Sequence, residues 1–173
     1  MGYILSLSPR LKDELWRHLL PEDSYCEQAA FLYATHATIG DDMVFDVVAH
    51  ELLENDDFTA QCSDYLELAD EARARIIKRA YAVNGCIVEI HSHPWGDSPA
   101  EFSVSDRVGL KQTVPHVRWR LMERPYLALV VGLFSYDALI WALGDQPAPL
   151  VVQVGRERLL PTGRSLGSWD GRK

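Results

Sequence analysis

Residues 67–93 constrain the fold more than any other stretch. Glu67–Asn84 is rich in Glu, Ala, Arg, Ile and Lys, which favour helix. Asn84-Gly85 stops it as helices commonly stop, on residues that accept a left-handed backbone. Cys86–Ile90 (CIVEI) follows as an apolar strand and runs straight into His91. A helix feeding a buried strand needs a sheet with helices on its face.

The rest of the chain fits that frame. Tyr3–Leu7 reads as a short strand, and Ser8-Pro9 opens a helix with Ser at the N-cap and Pro at the first position. Leu11, Leu15, Trp16 and Leu19 recur at helical spacing before Pro21. Glu27–Thr38 is apolar and predicts a buried strand, although its alanines also suit a helix. Gly40-Asp41-Asp42 is a turn, Met43–Leu53 a second strand, and residues 54–64 a polar loop. Residues 92–102 are loop, and a helix starts at Ser103 or Ser105 and runs to about Thr113. Leu127–Phe134 and Ala138–Leu143 pair antiparallel, and Leu150–Val154 is the last strand. Strands with helices at irregular spacing predict an α/β or α+β fold with a mixed sheet. With 173 residues and no linker or repeat, the chain reads as one domain over 1–160. Residues 161–173, rich in Gly, Ser and Arg, read as a flexible C-terminal tail.

Charge narrows the partners. There are 25 Asp plus Glu against 17 Lys plus Arg, a formal net of −8. A nucleic-acid binder needs a basic face to displace phosphate counterions, and an anionic membrane surface attracts basic segments. Neither is expected as a partner. The acid is also uneven: between Arg17 and Arg73 there are 14 acidic residues and no Lys or Arg. Such a stretch is either a solvated surface or a docking face for a basic partner. The three cysteines, Cys26, Cys62 and Cys86, make no even disulfide set and suit reduced thiols in the cytoplasm. No window is long and apolar enough for a membrane span or a secretory signal. MGYILS meets only the loose form of a myristoylation signal.

The chemistry lies in His91-Ser92-His93-Pro94 and Ser103-Val104-Ser105-Asp106. On an extended segment residues i and i+2 face the same way, so the two imidazoles can converge on one metal ion. Asp106, at a helix start, supplies a third donor. Two His and one carboxylate with an open position is a catalytic zinc arrangement. HxH alone is common in loops, and SxxD alone is commonly a helix-capping box. Their combination at the end of an apolar strand is far more specific.

In this combination the chain resembles the JAMM (MPN+ or JAB) zinc metalloproteases, whose pattern is an upstream Glu, HxHP, a loop and SxxD. Glu27 stands in the setting of the family's glutamate, with Ala30 and Ala34 where glycine is usual. The nine residues between His93 and Ser103 make a longer loop than the family commonly has. Ser98 and Ser105 compete with Ser103 for the serine role, but only Ser103 keeps the three-residue step to Asp106. The resemblance spans Leu11 to Leu143 and implies a cytidine-deaminase-like/MPN fold, a mixed sheet or partial barrel flanked by helices.

The same resemblance implies that His91, His93 and Asp106 bind one Zn2+. Glu27 is implied as the general base that later protonates the leaving amine, and Ser103 as the hydrogen-bond donor to the oxyanion. The implied activity is a peptidase or isopeptidase that cleaves after the C-terminal tail of a ubiquitin-like protein. The implied setting is a bacterial antiphage conjugation system with E1-like and E2-like enzymes. Two alternatives are a peptidase acting on a sulfur-carrier protein adduct and a non-catalytic MPN scaffold. The scaffold is disfavoured because metal-free relatives have lost ligands that this chain keeps.

Other residues are weaker candidates. Trp95 either walls the substrate channel or packs its own loop. Glu89 either orients a metal ligand from behind or faces outward from its strand. His36, His50 and His116 have no spacing partner, and Cys26 and Cys86 suit buried small hydrophobes.

Overall fold

A computed structural model of the protein describes residues 1–169. In chain order the elements are β1 (Gly2–Leu7), α1 (Pro9–Leu19), β2 (Ala29–Ile39), β3 (Asp42–Leu52), a 3-10 turn (Asn55–Asp57), β4 (Phe58–Gln61), β5 (Leu66–Leu68), α2 (Asp70–Ala82), β6 (Cys86–His93), α3 (Val104–Arg120), β7 (Tyr126–Gly132), β8 (Tyr136–Trp141), β9 (Ala148–Pro149), β10 (Val151–Val154), β11 (Glu157–Leu159) and α4 (Arg164–Trp169). Nine strands form one mixed sheet in the order β11-β10-β1-β3-β2-β6-β7-β8-β9, and β4 and β5 form a separate hairpin. The β1–β3, β1–β10 and β6–β7 pairs are parallel. The fold is mixed α/β, of α+β type.

Strand alternation divides the sheet between two cores. Leu32, Val88, Ile90 and Leu129 face Leu15 and Leu19 of α1 on one side. Phe31, Ile87, Ala128 and Val130 face Ile76, Leu110 and Val114 of α2 and α3 on the other. Burying each large apolar side chain contributes roughly 1.5–3 kcal/mol, so both faces of β2, β6 and β7 are firmly specified. His91 and His93 have the odd-numbered parity of Ile87 and therefore project toward α3. Ser8 caps α1 by accepting from the Leu11 amide at 3.1 Å, with Pro9 in the first turn. Asn84 has φ 53°, the left-handed stop that its position after α2 predicts.

Several boundaries differ from the sequence expectation. The polar loop at 54–64 contains β4, and the helix expected from Glu67 begins at Asp70. Leu66 and Leu68 alternate in β5 and pack with Phe58 against the α2/α3 core, which outweighs the helix propensity around them. Helix α3 does not stop near Thr113 but runs through Pro115 to Arg120, because Val114, Val117 and Leu121 bury on the sheet. Proline costs a backbone hydrogen bond there, and tertiary burial offsets it. Strand β10 is not the last, since Gly155, at φ 59°, turns the chain into β11.

The tail expected at 161–173 is also corrected in part. Residues 164–169 form α4, with Ser165 and Trp169 buried. Trp169 packs edge-on against Trp141 at 5.2 Å. Residues 170–173 lie outside the described residues.

Candidate metal centre

Strand β6 carries the two histidines to the sheet's end. Ala29 of β2 pairs with His91, and β7 pairs Val130 with His91 and Gly132 with His93. Strands thus flank His91 on both sides and His93 on the β7 side. Ser92 points the other way, is fully buried and accepts from the Gln28 amide at 3.0 Å, while its own amide donates to the Gln28 carbonyl at 3.0 Å. This exchange ties the segment carrying Glu27 to β6. On its other flank the Glu27 amide donates to the Cys62 carbonyl at 2.9 Å, and Gln61 Nε2 donates to the Glu27 carbonyl at 2.9 Å. Glu27 itself lies two residues before β2 and is 4 % exposed. Gln61 and Ser92 were not among the residues the sequence singled out. For Ser92 the available signal was the alternation that turns it away from both histidines.

Asp106 arrives from α3. Ser103 is the N-cap and Asp106 the third helical residue, and they cap each other: Ser103 N donates to Asp106 Oδ2 at 2.7 Å, and Asp106 N donates to Ser103 Oγ at 3.1 Å. The box turns the carboxylate back toward β6. His91 Nε2 and His93 Nε2 then lie 3.4 and 3.3 Å from the same Asp106 Oδ2. The structure therefore brings His91, His93 and Asp106 together, with donor atoms all within 4.8 Å of one another.

These distances are longer than strong direct hydrogen bonds and compatible with donors grouped around one cation. Charge-assisted N–H···O bonds are ~2.7–2.9 Å. Donors held at ~2.0–2.1 Å by one tetrahedral ion stand roughly 3.3–3.4 Å apart. Among the described residues His91 Nε2 is buried without a hydrogen-bond partner, an arrangement a bound cation would complete. The group can hold a single metal ion.

No family model matches the chain, and no curated protein matches it.

Burial and charge set the protonation of the site. Burial lifts the Glu27 carboxyl to about 7; the nearby His91 counteracts this in part, and Asp106 and Asp64 reinforce it. Burial opposes charging of His91, yet the charge on Asp106, assisted by Glu89 and Glu27, raises its pKa to about 9. Burial likewise opposes ionisation of Asp106, but the histidines and the Ser103 bond hold it well below the usual carboxylate range. Glu27 Oε1 lies 3.5 Å from His93 Nε2, so a buried carboxyl titrating near neutrality adjoins the three donors.

The surroundings place the weaker candidates. The Trp95 ring stacks on His93 at 5.3 Å, and its Nε1 donates to the Ser63 carbonyl. It braces His93 and joins the loop after His93 to the β4–β5 hairpin. Glu89 accepts from the Tyr126 hydroxyl beside the His91 strand, and burial raises its pKa. A cleft of about 580 Å³ runs from Glu27, His91 and Asp106 between α3 and β5, with Glu89 and Tyr126 also in its wall. His116 lines this cleft, whereas His36 packs on Phe45 and His50 faces Glu14. Trp95 and Ser103 are not among the cleft's lining residues.

No helix among the described residues is long and apolar enough to cross a membrane.

Proposed function

We propose that this protein is a zinc-dependent peptidase or isopeptidase of JAMM type, with the MPN fold that this implies. The observation that carries it is Glu27, a buried carboxyl with a pKa of about 7, 3.5 Å from a donor of the His91–His93–Asp106 group. A general base works best when its pKa lies near the operating pH. His91, His93 and Asp106 would hold the Zn2+, which supplies Lewis acidity toward the scissile carbonyl and a neutral-pH nucleophile. Glu27 takes the proton of the attacking water on a carboxylate oxygen and returns it to the departing amine. Ser103 Oγ already accepts from the Asp106 amide, so its own O–H is left to donate to the oxyanion.

The cleft supports a chain-like substrate. One wall is β5, whose outer edge pairs with no strand among the described residues. An extended C-terminal tail can add to such an edge through main-chain hydrogen bonds. Among the described residues Asp64, Glu67 and Glu89 line the cleft, with Arg73 as its one guanidinium, which suits a tail bearing basic residues. The tail of a ubiquitin-like protein has this form, and we assign that substrate class, with E1-like and E2-like enzymes as partners of the same system.

The test is cleavage of linear fusions carrying a ubiquitin-like protein by zinc-loaded wild type and Glu27→Gln. Wild type should release the fused partner after the modifier's tail, and Glu27→Gln should lose activity by ~10²–10⁴-fold while retaining zinc. Equal activity in the two proteins would remove Glu27 from the reaction.

A further inference from the structure

The loop between His93 and Asp106 is held from outside by the C-terminal segment. Thr162 Oγ1 donates to the Ala100 carbonyl at 2.6 Å. The fully buried Ser165 Oγ accepts from the Phe102 amide at 2.8 Å. Arg107 Nη1 joins the Phe102 carbonyl at 2.9 Å to Ser168 Oγ at 3.0 Å. Two of these contacts hold the amide and the carbonyl of Phe102, the residue that precedes the N-cap, and the third holds Ala100 two residues earlier.

Phe102 links this segment to the metal group. It is fully buried, and its ring packs on His91 with centroids 5.7 Å apart. The next residue, Ser103, sets the Asp106 carboxylate through the capping box. A displacement of Phe102 would therefore reach one donor through its ring and another through its backbone.

The segment is itself anchored by a buried carboxylate. Asp137 of β8 is 1 % exposed; its Oδ1 accepts from the Gly163 amide at 2.9 Å and its Oδ2 from the Ser165 amide at 2.8 Å. The Thr162 amide donates to the Tyr136 carbonyl at 2.9 Å. Asp137 is distant in sequence from His91, His93 and Asp106, and both its oxygens hold residues 163–165, Oδ1 accepting from the Ala138 amide as well at 3.0 Å.

We propose that Thr162–Ser168, anchored on Asp137, is a positioning clasp for the metal-binding loop. Ser165 and Thr162 set the path of Ala100–Ser103, and that path sets where His91 and Asp106 stand. Because Asp106 matters here as a donor, the clasp's consequence for affinity depends on the metal assignment above.

Two readouts test it on Ser165→Ala, Thr162→Val and Thr162→Ser. The first is zinc affinity by competition with a chromophoric chelator. Ser165→Ala and Thr162→Val should lose ~10–100-fold, the range for groups that orient metal ligands from behind, while Thr162→Ser, which keeps the donor, should stay near wild type. The second is amide hydrogen exchange of residues 100–107 in metal-free protein, which should quicken in the two deficient variants and not in Thr162→Ser. Should wild type bind no zinc, the metal assignment fails and exchange alone decides the clasp. Unchanged exchange in folded Ser165→Ala and Thr162→Val overturns the clasp. Faster exchange with unchanged zinc affinity overturns its role in positioning the donors. Thr162→Val, at a partly exposed site, serves if Ser165→Ala does not fold.

Discussion

Ser103 and Asp106 hold each other at the start of α3, amide to carboxylate at 2.7 Å and amide to hydroxyl at 3.1 Å. The oxygen that accepts from Ser103, Asp106 Oδ2, is also the one facing both histidines. The capping-box oxygen is thus also the one that a metal ion held by both histidines would share, and the two roles can be separated by substitution.

Ser103→Ala removes the hydroxyl but leaves the backbone donor to Asp106 Oδ2. The loss of an N-cap costs about 1 kcal/mol, so Tm should fall by roughly 2–4 °C for a chain of this length. Zinc should still bind. If the hydroxyl serves the oxyanion, kcat falls by ~10²–10³-fold, and Ser103→Thr restores both cap and rate. Calorimetry and steady-state kinetics on the two variants check this.

Glu27 should weaken the metal-free fold at neutral pH. Its pKa rises from 4.5 to about 7 on folding, chiefly through burial, so between these values the folded state binds the extra proton. Stability from this group is present below pH 4.5 and is lost as pH rises through about 7. Glu27→Gln, which carries no charge to bury, should therefore be more stable than wild type at pH 8 by on the order of 1–3 kcal/mol. The difference should vanish near pH 4. Urea unfolding of chelator-treated protein at the two pH values measures it.

Metal binding should release a proton. His91 is protonated in the metal-free protein below about pH 9, and a histidine ligand must be neutral. Apparent zinc affinity should therefore climb with pH up to about 9. Titration calorimetry at pH 7 in buffers of different ionisation enthalpy should show proton release at a stoichiometry of about one ion per chain. His91→Ala and Asp106→Ala should abolish binding. Zinc at a hundredfold over Kd should stabilise wild type by ~2.7 kcal/mol, and chelator should reverse it.

Charge reversals should sort the acidic stretch by place. Asp64 and Glu67 line the cleft. Asp41 sits at the β2–β3 turn, roughly 30 Å along β2 from Ala29 at ~3.3 Å per residue. Asp64→Lys and Glu67→Lys should raise KM several-fold for a substrate with a basic tail, with the effect fading at high salt. Asp41→Lys should leave KM unchanged. Asp42 and Asp57 are unsuitable probes, because Asp42 accepts from the Gly2 amide and Asp57 binds Arg75.

Much of this was legible in the residues. Ser8-Pro9 marked a helix start and Asn84-Gly85 a helix stop because both are local backbone effects, carried by a few adjacent residues. The facing of His91 and His93 followed from strand alternation, and the reach of Asp106 from the three-residue step of a capping box. What was not legible depended on distant partners. Glu67 and Leu68 look helical until Phe58 pairs with Leu68. Pro115 looks like a helix end until Val114 and Val117 are buried. The segment after Pro161 looks loose in composition, yet Asp137, far back in the chain, collects its amides.

The sequence by itself determined the class of fold and the grouping of His91, His93 and Asp106, since period-two alternation and helix caps are written in neighbouring residues. Only the tertiary structure decided that Glu27 is buried beside those residues, its carbonyl held by Gln61 and its neighbour Gln28 by Ser92, and that Ser165 holds the loop that leads into the helix of Asp106. Those relations join residues more than thirty positions apart. Burial and long-range pairing decide them, and neither is encoded at any single position.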